Sequence, residues 1–171
     1  PVRGEAFPGS LTVRGYDLRP QTAALPPGVE PLGLSFGGQA RLHGAELASA
    51  TVSREDERLH PPSGWVHLTL YWESLEPGAA FRPLVRIEGQ DGGVYGEAVE
   101  RENDVLHRHP PETWQAGEVW RIDFDLNLNP AMPPGEYRIV LRVAGPDDAL
   151  LPLDGAGGQD WYIVDWVTVT R

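Results

Sequence analysis

The stretch 119–128, VWRIDFDLNL, alternates without a break. Trp120, Ile122, Phe124, Leu126 and Leu128 fall on one side, and Val119, Arg121, Asp123, Asp125 and Asn127 on the other. A period of two describes a strand with one face in a core and one in water, and no helix presents its side chains that way. The pattern recurs at 65–72, WVHLTLYW, where Val66, Leu68, Leu70 and Trp72 oppose Trp65, His67, Thr69 and Tyr71. It recurs again at 137–143, YRIVLRV, where Tyr137, Ile139, Leu141 and Val143 alternate with Arg138, Val140 and Arg142. Further strands are expected at 11–18, 31–36, 40–47, 83–88, 94–99 and 161–169. In the last of these, Asp165 falls in phase with Ile163 and Val167, which predicts either a bulge or an Asp on the solvent face.

Turn chemistry punctuates these runs: PPG at 26–28, PPSG at 61–64, EPG at 76–78, DGG at 91–93, PPG at 133–135 and DGAGG at 154–158. Short alternating strands between such clusters signal an all-β sandwich or barrel. Residues 48–59 are polar, break at Pro61, and are expected to form a loop with one helical turn at most. The fold class expected is an all-β, antiparallel β-sandwich of about nine strands, immunoglobulin-like or jelly-roll-like.

A length of 171 residues suits one domain. A chain of that size buries roughly 70% of its unfolded surface, enough for a core without staples. The expected division is an N-terminal extension over 1–30 with an extra strand, then the sandwich over 31–171. The extra strand is read from FPGSLTVRGYDL at 7–18, which matches FGGQARLHGAEL at 36–47 at six positions in register, from Phe7/Phe36 to Leu18/Leu47. A period of 29 residues is too short for tandem sandwiches. The likeness therefore predicts two strands of the same grammar, with 7–18 pairing at a sheet edge and 40–47 a candidate neighbour.

All 14 basic residues are Arg, against 25 acidic residues, for a formal charge of -11. That field repels phosphate backbones, so nucleic acid is not an expected partner. There is no cysteine, hence no disulfide and no thiolate metal site. No run of 18 apolar residues occurs, so any link to a membrane is expected through segments absent from this chain. A start at Pro1 suggests a processed protein or a piece of a longer one.

Candidate chemistry is sparse. His107 and His109 stand at i, i+2 and could share a metal on a strand, but they precede Pro110-Pro111, where a loop is expected. Asp123 and Asp125 lie about 7 Å apart on one strand face, a spacing open to acid–base work or cation binding but equally to a solvated outer face. DGAGGQD at 154–160 is a single Gly/Asp turn without alternating ligands. No Gly-x-Ser-x-Gly elbow, P-loop or dinucleotide fingerprint appears. No cofactor or metal is expected. Aromatic faces stack on sugar rings, which makes Trp114, Tyr71 and Trp161 the candidate ligand-binding residues. Trp114, in the loop PETWQAGE, has a competing role as a plug for the end of the sandwich.

The order of motifs from residue 31 onward resembles a known family. FGGQARLHGAEL, PPSGWVHLTLYWESLEP, VRIEGQDGGVYGE, PETWQAGEVW, PPGEYRIVLRV and GGQDWYIVDWVTV follow one another over about 31–169. They are similar to motifs of the soluble β-sandwich domain appended to bacterial dolichyl-phosphate-mannose mannosyltransferase-like membrane glycosyltransferases. Ala45 departs from the Tyr usual there, Glu112 is an addition between Pro111 and Thr113, and AGPDD lacks the expected Tyr. In that family the catalytic carboxylates belong to the membrane portion. The resemblance therefore implies a non-catalytic binding or interaction module, not an enzyme. It implies a place on the outer side of a cytoplasmic membrane, glycan or another envelope protein as partner, and a larger membrane protein as context. Two alternatives stand beside it: a hydrolase or lyase using Asp123, Asp125 or the His107/His109 pair, and a purely structural spacer.

Overall fold

The computed structural model describes residues 24–55, 64–155 and 161–171, with residues 20–22 and the strand pairing of Arg3–Ala6 and Thr12–Gly15. The strands are β1 (Arg3–Ala6), β2 (Thr12–Gly15), β3 (Gln21–Thr22), β4 (Pro31–Phe36), β5 (Ala40–Leu47), β6 (Thr51–Ser53), β7 (Trp65–Ser74), β8 (Arg82–Glu88), β9 (Val94–Ala98), β10 (Val119–Leu128), β11 (Gly135–Ala144), β12 (Leu150–Leu151) and β13 (Tyr162–Thr170). One helical turn, α1 (Val105–Arg108), precedes β10. No helix among the described residues is long and apolar enough to cross a membrane.

The main sheet runs β4-β5-β7-β10-β9-β8-β11-β13-β6, with β3 on β10 and β12 on β11. It curls at β10 into two layers, β4-β5-β7-β10 and β9-β8-β11-β13-β6, whose inward side chains meet in one core. The expected all-β sandwich class is what forms. All pairings are antiparallel except β6 on β13.

Register explains the core. β7 and β10 place Trp72 opposite Trp120, Leu70 opposite Ile122, Leu68 opposite Phe124 and Val66 opposite Leu126, and all eight side chains are buried. A slip of one residue would turn the whole set to solvent, which pins the pairing. Burying each such side chain contributes about 1.5–3 kcal/mol. Val85 and Ile87 on β8, Ile139, Leu141 and Val143 on β11, and Val167 and Val169 on β13 close the core from the other layer.

The β4–β5 hairpin shows why the Phe-Gly stretch has its composition. Gly37 and Gly38 have φ of 54° and 66°, and the Gln39 N–H donates to the Phe36 carbonyl at 3.0 Å. Two consecutive positive φ values make a type I′ turn, which suits glycine at both positions.

Four expectations meet the structure here. On β13, Asp165 opposes Ile139 while Ile163 opposes the adjacent Val140, so Val164 is an extra residue. This is the bulge that the phase of Asp165 predicts. Residues 48–59 contain no helical turn among their described part. Instead β6 pairs in parallel with β13. The His107 loop includes α1, one turn closed by Pro110-Pro111, because the residue before a proline disfavours helical φ/ψ. Finally, β2 pairs with β1 in a separate two-stranded ribbon, and not with 40–47. Both sides of β5 are already taken, by β4 and β7. The remaining residues of 7–18 lie outside those described.

Candidate binding cleft at the β10 edge

The side of β10 facing away from β7 has two neighbours. Near its start, Val119 and Trp120 pair with Thr22 and Gln21, and the Arg121 N–H donates to the Pro20 carbonyl at 2.6 Å. Near its end, Leu126–Leu128 pair with β9. Between them, among the described residues, Ile122–Phe124 has no strand beside it. The layers splay apart there and leave a cleft of about 540 Å³. Ile122, Phe124 and Val85 reach its apolar floor, and the connection 99–107 passes over it. That connection is held by an N–H of Arg101 donating to the Asp104 carboxylate at 2.6 Å and by Val105 and Leu106 packed on the core.

One wall carries Asp123 and Asp125 from β10. The Asp125 carboxylate takes Arg101 Nη1 at 2.5 Å and lies 2.6 Å from His67 Nδ1. Partial burial pushes the Asp125 carboxyl up, but hydrogen bonds from His67 and Arg101 outweigh it and hold the group below its ordinary value. Asp123 accepts from the Thr69 hydroxyl at 2.7 Å and from Arg121 Nε at 3.0 Å. Both carboxylates are thus fixed acceptors.

Arg82, Arg86, Arg101 and Arg142 also line the cleft, together with Glu97, Glu100, Glu102 and Asp104. Arg82 donates to Asp148 at 2.7 Å, and Arg86 pairs with Glu88. The guanidiniums of Arg86 and Arg142 lie 3.7 and 4.6 Å from the centroid of the Trp161 ring.

The candidate residues part company in this structure. Trp161 lines the cleft, with its ring engaged by the two arginines. Trp114 does not. It is 2% exposed, stacked on Trp120 at 4.9 Å and 8°, edge-on to Phe81, and its indole N–H donates to the His109 carbonyl at 2.7 Å. The 3-10 turn Pro111–Thr113 swings it inward, so it plugs the sandwich and offers no ligand a face. Tyr71 is also a correction. Though on the outward phase of β7, it is 2% exposed and its hydroxyl donates to Glu46 at 3.2 Å. Its cross-strand partner is Gly44, where an added Cβ would stand 2.8 Å from Val29 Cγ1 and 3.3 Å from Leu25 Cδ2. The segment 25–30 therefore lies on this face and covers the phenol. Burial first, then the Glu46 carboxylate, push the Tyr71 hydroxyl above its ordinary value.

Asp123, Asp125 and His107 line the cleft, whereas His109 faces the Trp120 ring at 5.5 Å. Among the described residues no group of three or more His, Cys, Asp or Glu could hold a metal ion. Asp154 opens the Gly/Asp turn and accepts from the Gly38 N–H at 3.3 Å, a tie to the β4–β5 hairpin. Residues 156–160 of that turn lie outside those described. Sequence reasoning missed Arg82, Arg86, Arg101 and Arg142. The signal available was slight: in a chain without Lys, Arg at outward strand positions reads as solvated surface.

No family model matches this chain, and no curated protein matches it. Among solved structures, the C-terminal domain of Wzt is similar at 17% identity and a TM-score of 0.49, over 85% of this chain and 83% of that one. A bacterial adhesin from Mobiluncus mulieris, with intramolecular disulfide, isopeptide and ester cross-links, is similar at 10% identity and a TM-score of 0.42. That match covers 76% of this chain and 56% of the adhesin chain, so the chain spans a little over half of it. The fold assignment rests on the strand pairing above.

Proposed function

We propose that this domain is a non-catalytic carbohydrate-interacting module of a larger envelope protein, and that its ligand enters the cleft at the β10 edge. The observation that carries the reading is the composition of that cleft: carboxylate acceptors and guanidinium donors line it together, beside the apolar side chains of Val85, Ile122 and Phe124. Sugar hydroxyls donate and accept at once, so a saccharide site needs both kinds of partner beside apolar surface for the ring. The pairing of Arg101 with Asp125 pre-orders both groups and lowers the entropy cost of binding.

The hydrolase reading draws less support. A general acid needs a raised carboxyl pKa, and Asp125 is held low by two donors. A smooth spacer has no use for a cleft of this size. Placement on the outer side of a cytoplasmic membrane, within a mannosyltransferase-like protein, is supported by the motif order. Membrane-spanning segments in the parent reading frame are the expected finding, and a frame without them would count against it.

The test of the binding reading is calorimetric titration with a panel of neutral and acidic saccharides, repeated on Arg101→Ala. Binding by at least one saccharide that weakens in the variant is the expected result. Silence across the panel, or binding unaffected by loss of Arg101, would overturn the reading.

A further inference from the structure

Resting on that reading, we infer that the saccharide is anionic, and that Arg142 receives its negative group. The arginines of the cleft differ in what they already hold. Arg82 is paired with Asp148 and Glu100, Arg101 with Asp125, and Arg86 with Glu88. Arg142 makes no hydrogen bond or ion pair among the described residues, and its Nε is buried without a partner. The Nε atoms of Arg54 and Arg138 share that property, but of the cleft's arginines it is Arg142, half-buried, whose guanidinium lacks a carboxylate among the described residues, and a ligand anion would supply one.

The geometry suits such a role. Arg142 lies over the Trp161 ring, which fixes the plane of the guanidinium through its π face. Stacking leaves the in-plane N–H donors unused, and these are what a carboxylate or phosphate takes in bidentate fashion. The neighbouring arginines are already engaged. Arg86 shares the same indole but is paired with Glu88, which Arg138 also reaches at 3.4 Å, so the two neighbouring guanidiniums have a counter-charge and Arg142, among the described residues, does not. Glu97 stands across β9 from Arg86 but forms no ion pair with it. Acids also line the cleft, Glu97, Glu100, Glu102 and Asp104 among them, so the preference for an anion rests on the one guanidinium without a counter-charge and not on the net charge of the face.

The experiment titrates the intact domain with glucose, glucuronate and glucose 6-phosphate, and repeats the series with Arg142→Gln and Arg142→Lys. A charge-assisted bidentate contact predicts at least about a tenfold preference for an anionic sugar over glucose. Arg142→Gln should erase it, and Arg142→Lys should keep part of it. Whether glucuronate or the phosphate binds tighter identifies the group. Equal affinity for glucose and both anions overturns this inference and leaves the carbohydrate reading standing. So does a preference that survives in Arg142→Gln. If no sugar binds, both fall. Should the Gln variant fail to fold, the Lys variant decides: it must bind the anions more weakly than wild type and glucose equally well.

Discussion

Replacing Trp114 by Ala distinguishes a plug from a ligand platform, and the structure sets the size of the effect. The side chain is 2% exposed, so its removal opens a large cavity in the core. Trp→Ala at such sites costs about 3–5 kcal/mol. Here the parallel stack on Trp120 and the edge contact with Phe81 are lost together, and each aromatic pair carries about 0.5–1.5 kcal/mol beyond its area. The His109 carbonyl also loses its indole donor. The expectation therefore sits at the top of the range, about 5 kcal/mol, out of a total near 5–15 kcal/mol for a folded domain. For a chain of this size that lowers Tm by about 10–20 °C. Scanning calorimetry gives the Tm, and urea unfolding gives the free energy with its m-value. Trp114→Phe keeps a ring in place and should recover most of the loss. A loss below about 1 kcal/mol in the Ala variant, at unchanged m-value, would refute the plug.

Three further outcomes are expected. Gly44→Ala should destabilise by about 1–3 kcal/mol, since the new Cβ would press on Val29 and on the Glu30 carbonyl at 2.9 Å; urea unfolding reads it, and a neutral result would mean that 25–30 does not lie on this face. Tyr71→Phe should lose about 1 kcal/mol with the hydroxyl's bond to Glu46, also by urea unfolding; an unchanged midpoint would deny that bond. Asp125→Asn should be less stable than wild type at neutral pH. Because the folded pKa is depressed, that contribution is complete above the unfolded carboxyl value and disappears as pH falls through the folded one. The gap between the two proteins should thus close in acid, and a gap that persists below both values would refute the assignment.

The layers of the sandwich were legible because β7, β10 and β11 each bury one face against a core, so the chain carries a strict alternation there. In β13 the phase of Asp165 leaves a bulge or a solvent-facing Asp open, and pairing with β11 resolves it as a bulge at Val164. The site was not legible. Whether Trp114 turns inward depends on a 3-10 turn, and whether Tyr71 is covered depends on residues 25–30 reaching across β5. Neither leaves a mark in local periodicity. The cleft exists because β9 meets β10 only at Leu126–Leu128, a property of pairing length and not of composition. Arg82, Arg86 and Arg142 sit in the solvent phase of their own strands and Arg101 lies in the connection 99–107, and only the closure of the sheet gathers them.

The parallel contact of β6 with β13 sets an order of assembly. Thr51 pairs with Thr168, so an early segment of the chain waits for nearly the last strand. The layer β4-β5-β7-β10 has all its main strands once residue 128 has been made, while the facing layer still lacks β11 and β13. During synthesis the apolar face of Trp72, Leu70, Ile122 and Phe124 is therefore open until the C-terminal third arrives. Contacts this distant in sequence close slowly, and an open sheet face is where association between nascent chains begins. Premature termination before β13 would leave β6 without its partner and the core without Val167 and Val169.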